Sequence, residues 1–283
     1  MSITALFARL HDDISFDRLK MPALPDVALR VQQVMQSPDC DLASLARLIQ
    51  LDPGLSAYLL QIVNSPLYRG ARKVDQLATA LARMGLSSTR NYVYSYAMMA
   101  LYEPQSPVLK PLLKKQWQFS TRLAALSSVL APHFPSLNTD QATLAGLMQD
   151  IGMLPLLAKT VEYPQLLTQK DLLLETLERF AGQVGASLLE RWNFDESLIE
   201  TARARGDWQR DHDGPGDYAD IVTIARFHAL LGTAQAQRLP GLAQIPAFKK
   251  LPVSLKSPSF SMELLTEAKA QVQEIQRGLG GSS

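Results

Sequence analysis

The sequence contains little cysteine and carries a net charge close to zero. Cys40 is the single cysteine of 283 residues, which excludes an internal disulfide and a cysteine-based zinc site and favours a reducing compartment, for which we expect the cytoplasm. The 28 basic and 27 acidic side chains leave a formal net charge of +1. This balance gives no electrostatic case for general nucleic-acid binding.

Long apolar runs are also missing. No uninterrupted stretch of about 18 or more apolar residues occurs, which predicts no membrane span. Residues 1–10 lack the basic and apolar regions of a signal peptide. Hydrophobic residues nevertheless make up 47% of the chain, so one large domain or two smaller ones can bury a substantial core.

Apolar residues recur at helical spacing along most of the chain, and no segment alternates as a strand does. Asp26, Asp41 and Asp52-Pro53 are N-terminal helix signals, and Gly85 is a stop signal. The pattern predicts an all-α fold. The expected helices cover about residues 3–11, 26–35, 42–49, 53–63, 75–84, 87–102, 108–131, 139–152, 154–159, a short one from Tyr163-Pro164, 172–180, 183–192, 195–203, 218–231 and 261–277.

The best internal boundary is the polar segment from Glu103 to Pro107, which contains two prolines. We expect a short helix within residues 1–14 and a helical lobe at 15–103. A helical bundle at 108–235 follows. A C-terminal segment at 236–283, which ends in a helix, completes the chain.

The segment from Leu147 to Gly152 sets the polar pair Gln149-Asp150 among Leu, Met and Ile. A carboxylate there is costly unless it is paired, hydrogen-bonded or bound to a metal. We expect Asp150 to be buried and satisfied by backbone or by an arginine, with Arg203 and Arg226 as candidates. A remnant role in ligand binding is the alternative.

A series of short motifs runs in one order through residues 15–235. The motifs are Met21-Pro22-Ala23-Leu24-Pro25, Asp52-Pro53, Ile62 to Tyr68, Ala80-Leu81 to Gly85-Leu86, Arg90-Asn91, Trp117 with Ser120, Gly146 to Gly152, and Gly185 to Trp192. The series resembles the HDOD family, the HD-related output domains of bacterial signalling. The resemblance implies an all-α fold in which an N-terminal helical lobe packs on a divergent HD-type helical bundle.

HD-type enzymes are metal-dependent phosphohydrolases, and they hold their metal with His and Asp side chains from several helices. The resemblance implies that Gln149-Asp150 replaces the His-Asp pair. The other ligand positions correspond to Ser120, Ala181-Gly182, residues 202–206 and Ala225-Arg226-Phe227. Only Asp150 keeps a ligand-type side chain, and one carboxylate cannot hold a catalytic metal. We therefore expect no metal and no cofactor.

Two functions follow from this resemblance. The favoured one is a non-catalytic signal-transduction or regulatory module that binds another signalling protein, or a nucleotide such as a cyclic dinucleotide. The alternative is a metal-dependent phosphohydrolase that acts on a nucleotide or cyclic dinucleotide. We assign no catalytic residue. The candidate binding residues are Asn64, Tyr68, Arg90, Gln149 and Asp150, and the simpler role of Asn64 is to cap a turn.

Two further features have simple structural interpretations. His212-Asp213 is a second His-Asp dipeptide, but it lies in a Gly- and Asp-rich loop, so we expect it to be solvated and without metal. Arg203, Arg205 and Arg210 alternate with aspartates and are expected on a solvated face. His228 is expected at a helix surface.

Overall fold

The computed structural model describes residues 9, 12–14, 18–37, 40–65, 68, 72–103, 106–163, 169–252 and 258–278. These residues form helices and turns with no strand among them, which confirms the predicted all-α class. The chain divides into two compact units. Unit 1 comprises Met1–Ala23 and Pro104–Leu265, and unit 2 comprises Leu24–Glu103 and Thr266–Ser283.

Unit 2 contains four helices in its described N-terminal part. They are α1 (Asp26–Gln36), α2 (Leu42–Ile49), α3 (Pro53–Val63) and α4 (Leu77–Ala100). The long α4 packs against each of the other three. Asp41 and Asp52 accept hydrogen bonds from the backbone N–H groups of Ser44 and Leu55, so both predicted N-caps are confirmed.

Unit 1 contains the longer series of helices. They are α5 (Lys110–Leu130), α6 (Thr139–Met148), α7 (Met153–Lys159), α8 (Lys170–Arg191), α9 (Glu196–Arg203), α10 (Tyr218–Leu230), α11 (Pro246–Lys249) and α12 (Pro258–Gly278), the last of which continues into unit 2. The most extensive packing is between α5 and α6, and α10 packs against α5, α6 and α9. None of the described helices is long and apolar enough to cross a membrane.

Four short 3₁₀ turns join these helices. They lie at Ala131–His133, Thr160–Glu162, Ala234–Arg238 and Leu242–Gln244. The last two occupy the proline-punctuated region after α10, where the sequence predicts loose structure. The predicted helix at 3–11 lies mostly outside the described residues, and so does the short one that starts at Tyr163-Pro164.

Three predicted helix boundaries are wrong in an informative way. The two helices expected at 172–180 and 183–192 are the single helix α8. The helix expected at 139–152 ends at Met148, and residues 149–152 form a turn. Asp26 is the first residue of α1 rather than its N-cap, which is Pro25. The break at Gly85 is confirmed, since this residue has φ +78° between the two halves of α4.

Candidate functional site

The candidate site is built on the turn between α6 and α7. The N–H of Gln149 still bonds to the carbonyl of Ala145, after which the N–H of Met153 bonds to the carbonyl of Asp150 and starts α7. Gln149 and Asp150 are both fully buried. The turn places two polar side chains in the protein interior, so both need hydrogen-bond partners from elsewhere in the unit.

Asp150 receives hydrogen bonds on both carboxylate oxygens. Its Oδ1 accepts from Nε of Arg205 at 2.5 Å and from Nη1 of Arg226 at 2.9 Å. Its Oδ2 accepts from Nε2 of Gln116 at 3.0 Å. We call Asp150, Arg205, Arg226 and Gln116 the buried ion cluster. Its three charged side chains are at most 4% exposed.

Three separate elements bring these partners to Asp150. Gln116 lies on α5, and its Nε2 also donates to Oγ of Ser120 at 3.3 Å. Arg205 lies in the turn after α9, and its Nη1 donates to the carbonyl of Leu177 on α8 at 3.4 Å. Arg226 lies on α10. The cluster therefore ties α5, α8, α9 and α10 to the turn that carries Asp150.

Two glycines let this turn approach its neighbours closely. A Cβ on Gly152 would overlap the carbonyl oxygen of Ala181 and the backbone nitrogen of Gly185 on α8. A Cβ on Gly146 would lie 2.7 Å from the carbonyl oxygen of Leu123 on α5. The glycines in this region therefore serve helix–helix approach. Gly185 lies within α8 and contacts the backbone of Gly152 at this point.

The charges of the cluster decide the ionisation of Asp150. Burial raises the pKa of this carboxyl, but the positive charges of Arg226 and Arg205 and the hydrogen bonds from Arg205 and Gln116 outweigh it, so the pKa falls to about 2. Burial lowers the pKa of Arg226, against the attraction of Asp150. The cluster thus holds one anion and two cations, a surplus of one positive charge.

Gln149 binds the same arginine as Asp150. Its Oε1 accepts from Nη1 of Arg226 at 3.1 Å, whereas its Nε2 is buried without a hydrogen-bond partner among the described residues. The opposite amide orientation would set two donors against each other. Gln149 therefore helps to position Arg226 and leaves one of its own donors unsatisfied.

A cavity of about 150 Å³ adjoins the cluster. Gln116, Asp150, Arg205 and Arg226 form its polar side. Most of the remaining wall is apolar and comes from α5, α7 and α8, with Lys115, Glu178 and Gln235 as the other polar contributors. The cavity is thus an apolar space with one charged side.

The residues at the HD-type ligand positions do not fit a metal ion. Ser120 and Gln149 are neutral, and Asp150 already contacts two guanidinium groups, whose charges oppose a cation. Within the described ranges, no group of three His, Cys, Asp or Glu side chains that could ligate a metal includes Asp150. The surroundings of Asp150 instead supply hydrogen bonds to both of its carboxylate oxygens.

A second polar cluster lies in the loop before α10 and at its start. His212 Nε2 is 2.9 Å from Oδ2 of Asp220 and 3.5 Å from Oδ2 of Asp217, so three ligand-type side chains meet there. Arg210 binds both aspartates, and Lys250 binds Asp220 at 3.2 Å. These two cations already contact the carboxylates, and Arg210 also pairs with Glu200 at 3.1 Å. Asp217 and Asp220 belong to a capping box, a local helix signal, so their sequence pattern does not point to His212.

The other three candidate binding residues lie in unit 2. Asn64 donates to the carbonyls of Leu60 and Val74, and its Oδ1 accepts from the N–H of Val74 at 2.8 Å. It thereby joins the end of α3 to the chain ten residues later. The ring of Tyr68 contacts that of Tyr92, and Nε of Arg90 is 3.4 Å from Oδ1 of Asn91.

The arginine and histidine expectations need four corrections. Arg210, expected on a solvated face, is only 15% exposed and pairs with Glu200, Asp217 and Asp220. Arg226 binds Asp150, but Arg203 is 44% exposed and pairs with Glu190, Glu196 and Glu200. Arg205, expected on a solvated face, is the second buried partner of Asp150. His228 is fully buried rather than at a helix surface, since its ring nitrogens contact the carbonyl of Ile224 and Oγ of Ser261.

Comparisons with known proteins agree with this architecture. The HDOD domain model matches residues 21–207. A Shewanella amazonensis structure, provisionally named a metal-dependent phosphohydrolase, is 27% identical with a TM-score of 0.79 and covers 95% of this chain and 99% of its own. An HDOD domain protein with unknown function from Geobacter sulfurreducens is 23% identical, with a TM-score of 0.56 and coverage of 93% and 85%.

Two further relatives extend the comparison. A Marinobacter aquaeolei structure, provisionally named a signal transduction protein, is 20% identical with a TM-score of 0.61 and covers 99% of this chain and 66% of its own. An uncharacterized Treponema pallidum protein is 25% identical over 236 residues, which are 79% of this chain and 44% of that protein. The chain therefore spans less than half the length of this relative.

Proposed function

The chain belongs to the HDOD domain family, and on this premise we propose that it is a non-catalytic signal-transduction module that acts by binding another signalling protein. The observation that carries the proposal is the buried ion cluster. Asp150 is the one ligand-type residue left at the HD-type positions, and two arginines and a glutamine bind it. An enzyme of the HD type needs those carboxylate oxygens for its metal.

The energetics of the cluster favour a structural role. A metal ion at Asp150 would have to displace Arg205 and Arg226, and each displaced guanidinium would lose a charge-assisted hydrogen bond inside the protein. Removing the partner of a buried charge costs about 3–5 kcal/mol. The described residues around Asp150 include no group of three His, Cys, Asp or Glu side chains that would return that energy through metal bonds.

The competing function is a metal-dependent phosphohydrolase. The provisional name of the Shewanella relative supports it, and that protein is 27% identical over nearly the whole chain. It requires a set of metal ligands that forms only after Asp150 leaves both arginines. Since both carboxylate oxygens of Asp150 are buried and already accept hydrogen bonds, we place this function second.

A hydrolysis assay separates the two functions. Purified protein is incubated with Mn²⁺, Fe²⁺ or Ni²⁺ and with bis-p-nitrophenyl phosphate, cyclic di-GMP and mononucleotides. We expect product formation equal to that of the Asp150→Ala variant in every case. Metal-dependent turnover that Asp150→Ala abolishes would establish the phosphohydrolase instead, provided that the variant keeps its near-ultraviolet circular dichroism.

An association experiment tests the proposed activity itself. The tagged chain is used to capture proteins from the native host, and each protein found by mass spectrometry is then purified and mixed with it. We expect one signalling protein to form a complex that co-elutes in size-exclusion chromatography with defined stoichiometry. If no purified candidate binds and turnover is found as well, the proposal fails.

A further inference from the structure

We propose that the cavity beside Asp150 binds a small monocarboxylate with an apolar body, whose carboxylate meets Arg226. The inference deepens the proposed function, because it assigns a ligand to the former metal site, and it rests on that site holding no metal. Binding of such a ligand at the junction of several helices would give the module a chemical input.

The size of the cavity limits the body of the ligand. Its volume is about 150 Å³, which matches an engineered protein cavity that binds benzene. Phe119, Met153, Leu157, Leu173 and Leu177 contribute to the wall. A group of about six to nine non-hydrogen atoms therefore fits, and burial of its apolar surface favours binding.

The charged side of the cavity supplies the anion contact. Nη1 of Arg226 is shared between Asp150 and Gln149, whereas no described group accepts a hydrogen bond from its Nε or Nη2. The side chain of Arg226 is 4% exposed and lines the cavity. Nε and Nη2 lie on one edge of the guanidinium and form the two-pronged donor that binds a carboxylate. The ring of Phe119 covers one face of the same guanidinium, with its centroid 5.3 Å from Cζ of Arg226.

The charge balance selects a monoanion. Three cations and two anions line the cavity, namely Lys115, Arg205 and Arg226 against Asp150 and Glu178. Asp150 and Glu178 each pair with Arg205, at 2.5 and 3.7 Å, and Lys115 lies exposed among the lining residues. One carboxylate neutralises the surplus. A nucleotide is disfavoured, because pockets that enclose ligands of that size measure about 300–1,000 Å³.

Calorimetric titration of the full chain with sodium benzoate tests the proposal. We expect one benzoate per chain, and at least about tenfold weaker binding of the isosteric neutral benzamide, since a charge-assisted hydrogen bond is lost. Absence of benzoate binding at millimolar concentration would overturn the proposal. Equal binding of benzoate and benzamide would do so too, because the guanidinium would then take no part.

Variants locate the bound benzoate. Leu174→Trp fills the cavity from its half-exposed wall and should weaken binding at least tenfold. Lys115→Glu places an anion among the lining residues and should weaken binding several-fold, whereas Lys114→Glu changes an exposed neighbour that does not line the cavity and should have less effect. If both lysine variants changed the benzoate affinity equally, or if a folded Leu174→Trp variant bound benzoate as tightly as the wild type, benzoate would bind elsewhere. Either result would refute the site.

The outcome is distinguishable from failure of the proposed function. Loss of benzoate binding with no metal-dependent turnover refutes the ligand and leaves the non-catalytic module intact. Metal-dependent turnover that Asp150→Ala abolishes refutes the non-catalytic module, whatever benzoate does. The comparison of benzoate with benzamide uses the unmodified chain, so it does not depend on the folding of any variant.

Discussion

The substitution Asp150→Asn removes one charge from the buried ion cluster and keeps the shape of the side chain. It leaves the guanidinium group of Arg226 buried without its counterion and leaves Arg205 only Glu178, at 3.7 Å, although the amide oxygen still accepts one hydrogen bond from them. The loss of one partner of a buried ion pair costs about 3–5 kcal/mol. We therefore expect the free energy of unfolding to fall by that amount.

An independent estimate comes from the pKa of Asp150. The cluster lowers it from 3.8 to about 2, and at about 1.4 kcal/mol per pKa unit this corresponds to about 2 kcal/mol. Because the folded pKa is depressed, this stability is present above about pH 4 and is lost as the pH falls through the folded pKa of about 2. The value is smaller than the substitution cost because the new amide sets two N–H hydrogens against the donors of Gln116 and the arginines, whereas a protonated carboxyl adds only one hydrogen.

Urea denaturation followed by tryptophan fluorescence measures the loss of unfolding free energy in unit 1, which contains the cluster. The three tryptophans, Trp117, Trp192 and Trp208, all lie in unit 1 with the cluster. Asp171→Asn is the matched control, because Asp171 is an exposed aspartate in the first turn of α8 and the loss of its charge there should cost less than about 1 kcal/mol. Since the two charges interact, Asp150→Asn combined with Arg226→Met should cost less than the sum of the single changes.

The opposite result has a clear meaning. Residues that bind a metal or substrate are often destabilising, and their neutral variants then gain stability. If Asp150→Asn were as stable as the wild type, or more stable, the cluster would not hold the bundle together. The argument against a metal site would fail with it.

Three further predictions concern packing, pH and capping. Gly152→Ala should destabilise unit 1 by at least about 1–3 kcal/mol in urea, because its Cβ overlaps the backbone of α8, and an unchanged midpoint would contradict this close approach. Burial lowers the pKa of His228. This residue therefore contributes stability above about pH 6.5, which is lost as the pH falls through the folded pKa. Between pH 7.5 and 5, the melting temperature of His228→Gln should fall less than that of the wild type. Asp41→Ala should lower the free energy of unfolding measured by circular dichroism, because the N–H of Ser44 loses its acceptor, and no change would mean that the cap on α2 is dispensable.

The sequence was sufficient for features that depend on neighbouring residues. The caps at Asp41 and Asp52-Pro53 and the break at Gly85 are local signals, and each takes the predicted conformation. From their neighbouring residues alone, Gly182 and Gly185 give the same helix-stop signal as Gly85. Their role depends on backbone that is distant in the sequence, since Gly185 is packed against Gly152. A prediction from neighbouring residues therefore ends the helix where the structure continues it.

The site was predicted in part, for the same reason. Burial of Asp150 follows from its apolar neighbours, and Arg226 was a candidate partner that the family resemblance puts close to an expected HD-type ligand position. Arg205 sits in a segment with alternating charges, which favours a solvated interpretation, yet this segment also corresponds to a ligand position. That second signal could have identified it. The cavity was not predictable, because side chains from three helices form its apolar wall.

The central claim is that Asp150 binds arginines rather than a metal. The most direct test is the metal-to-protein ratio of the chain, purified without chelator, loaded with Mn²⁺, Fe²⁺, Ni²⁺ or Zn²⁺, and measured by mass spectrometry after desalting. We predict much less than one ion per chain and no difference between the wild type and a folded Asp150→Ala variant. A stoichiometric ion that Asp150→Ala removes would contradict the account.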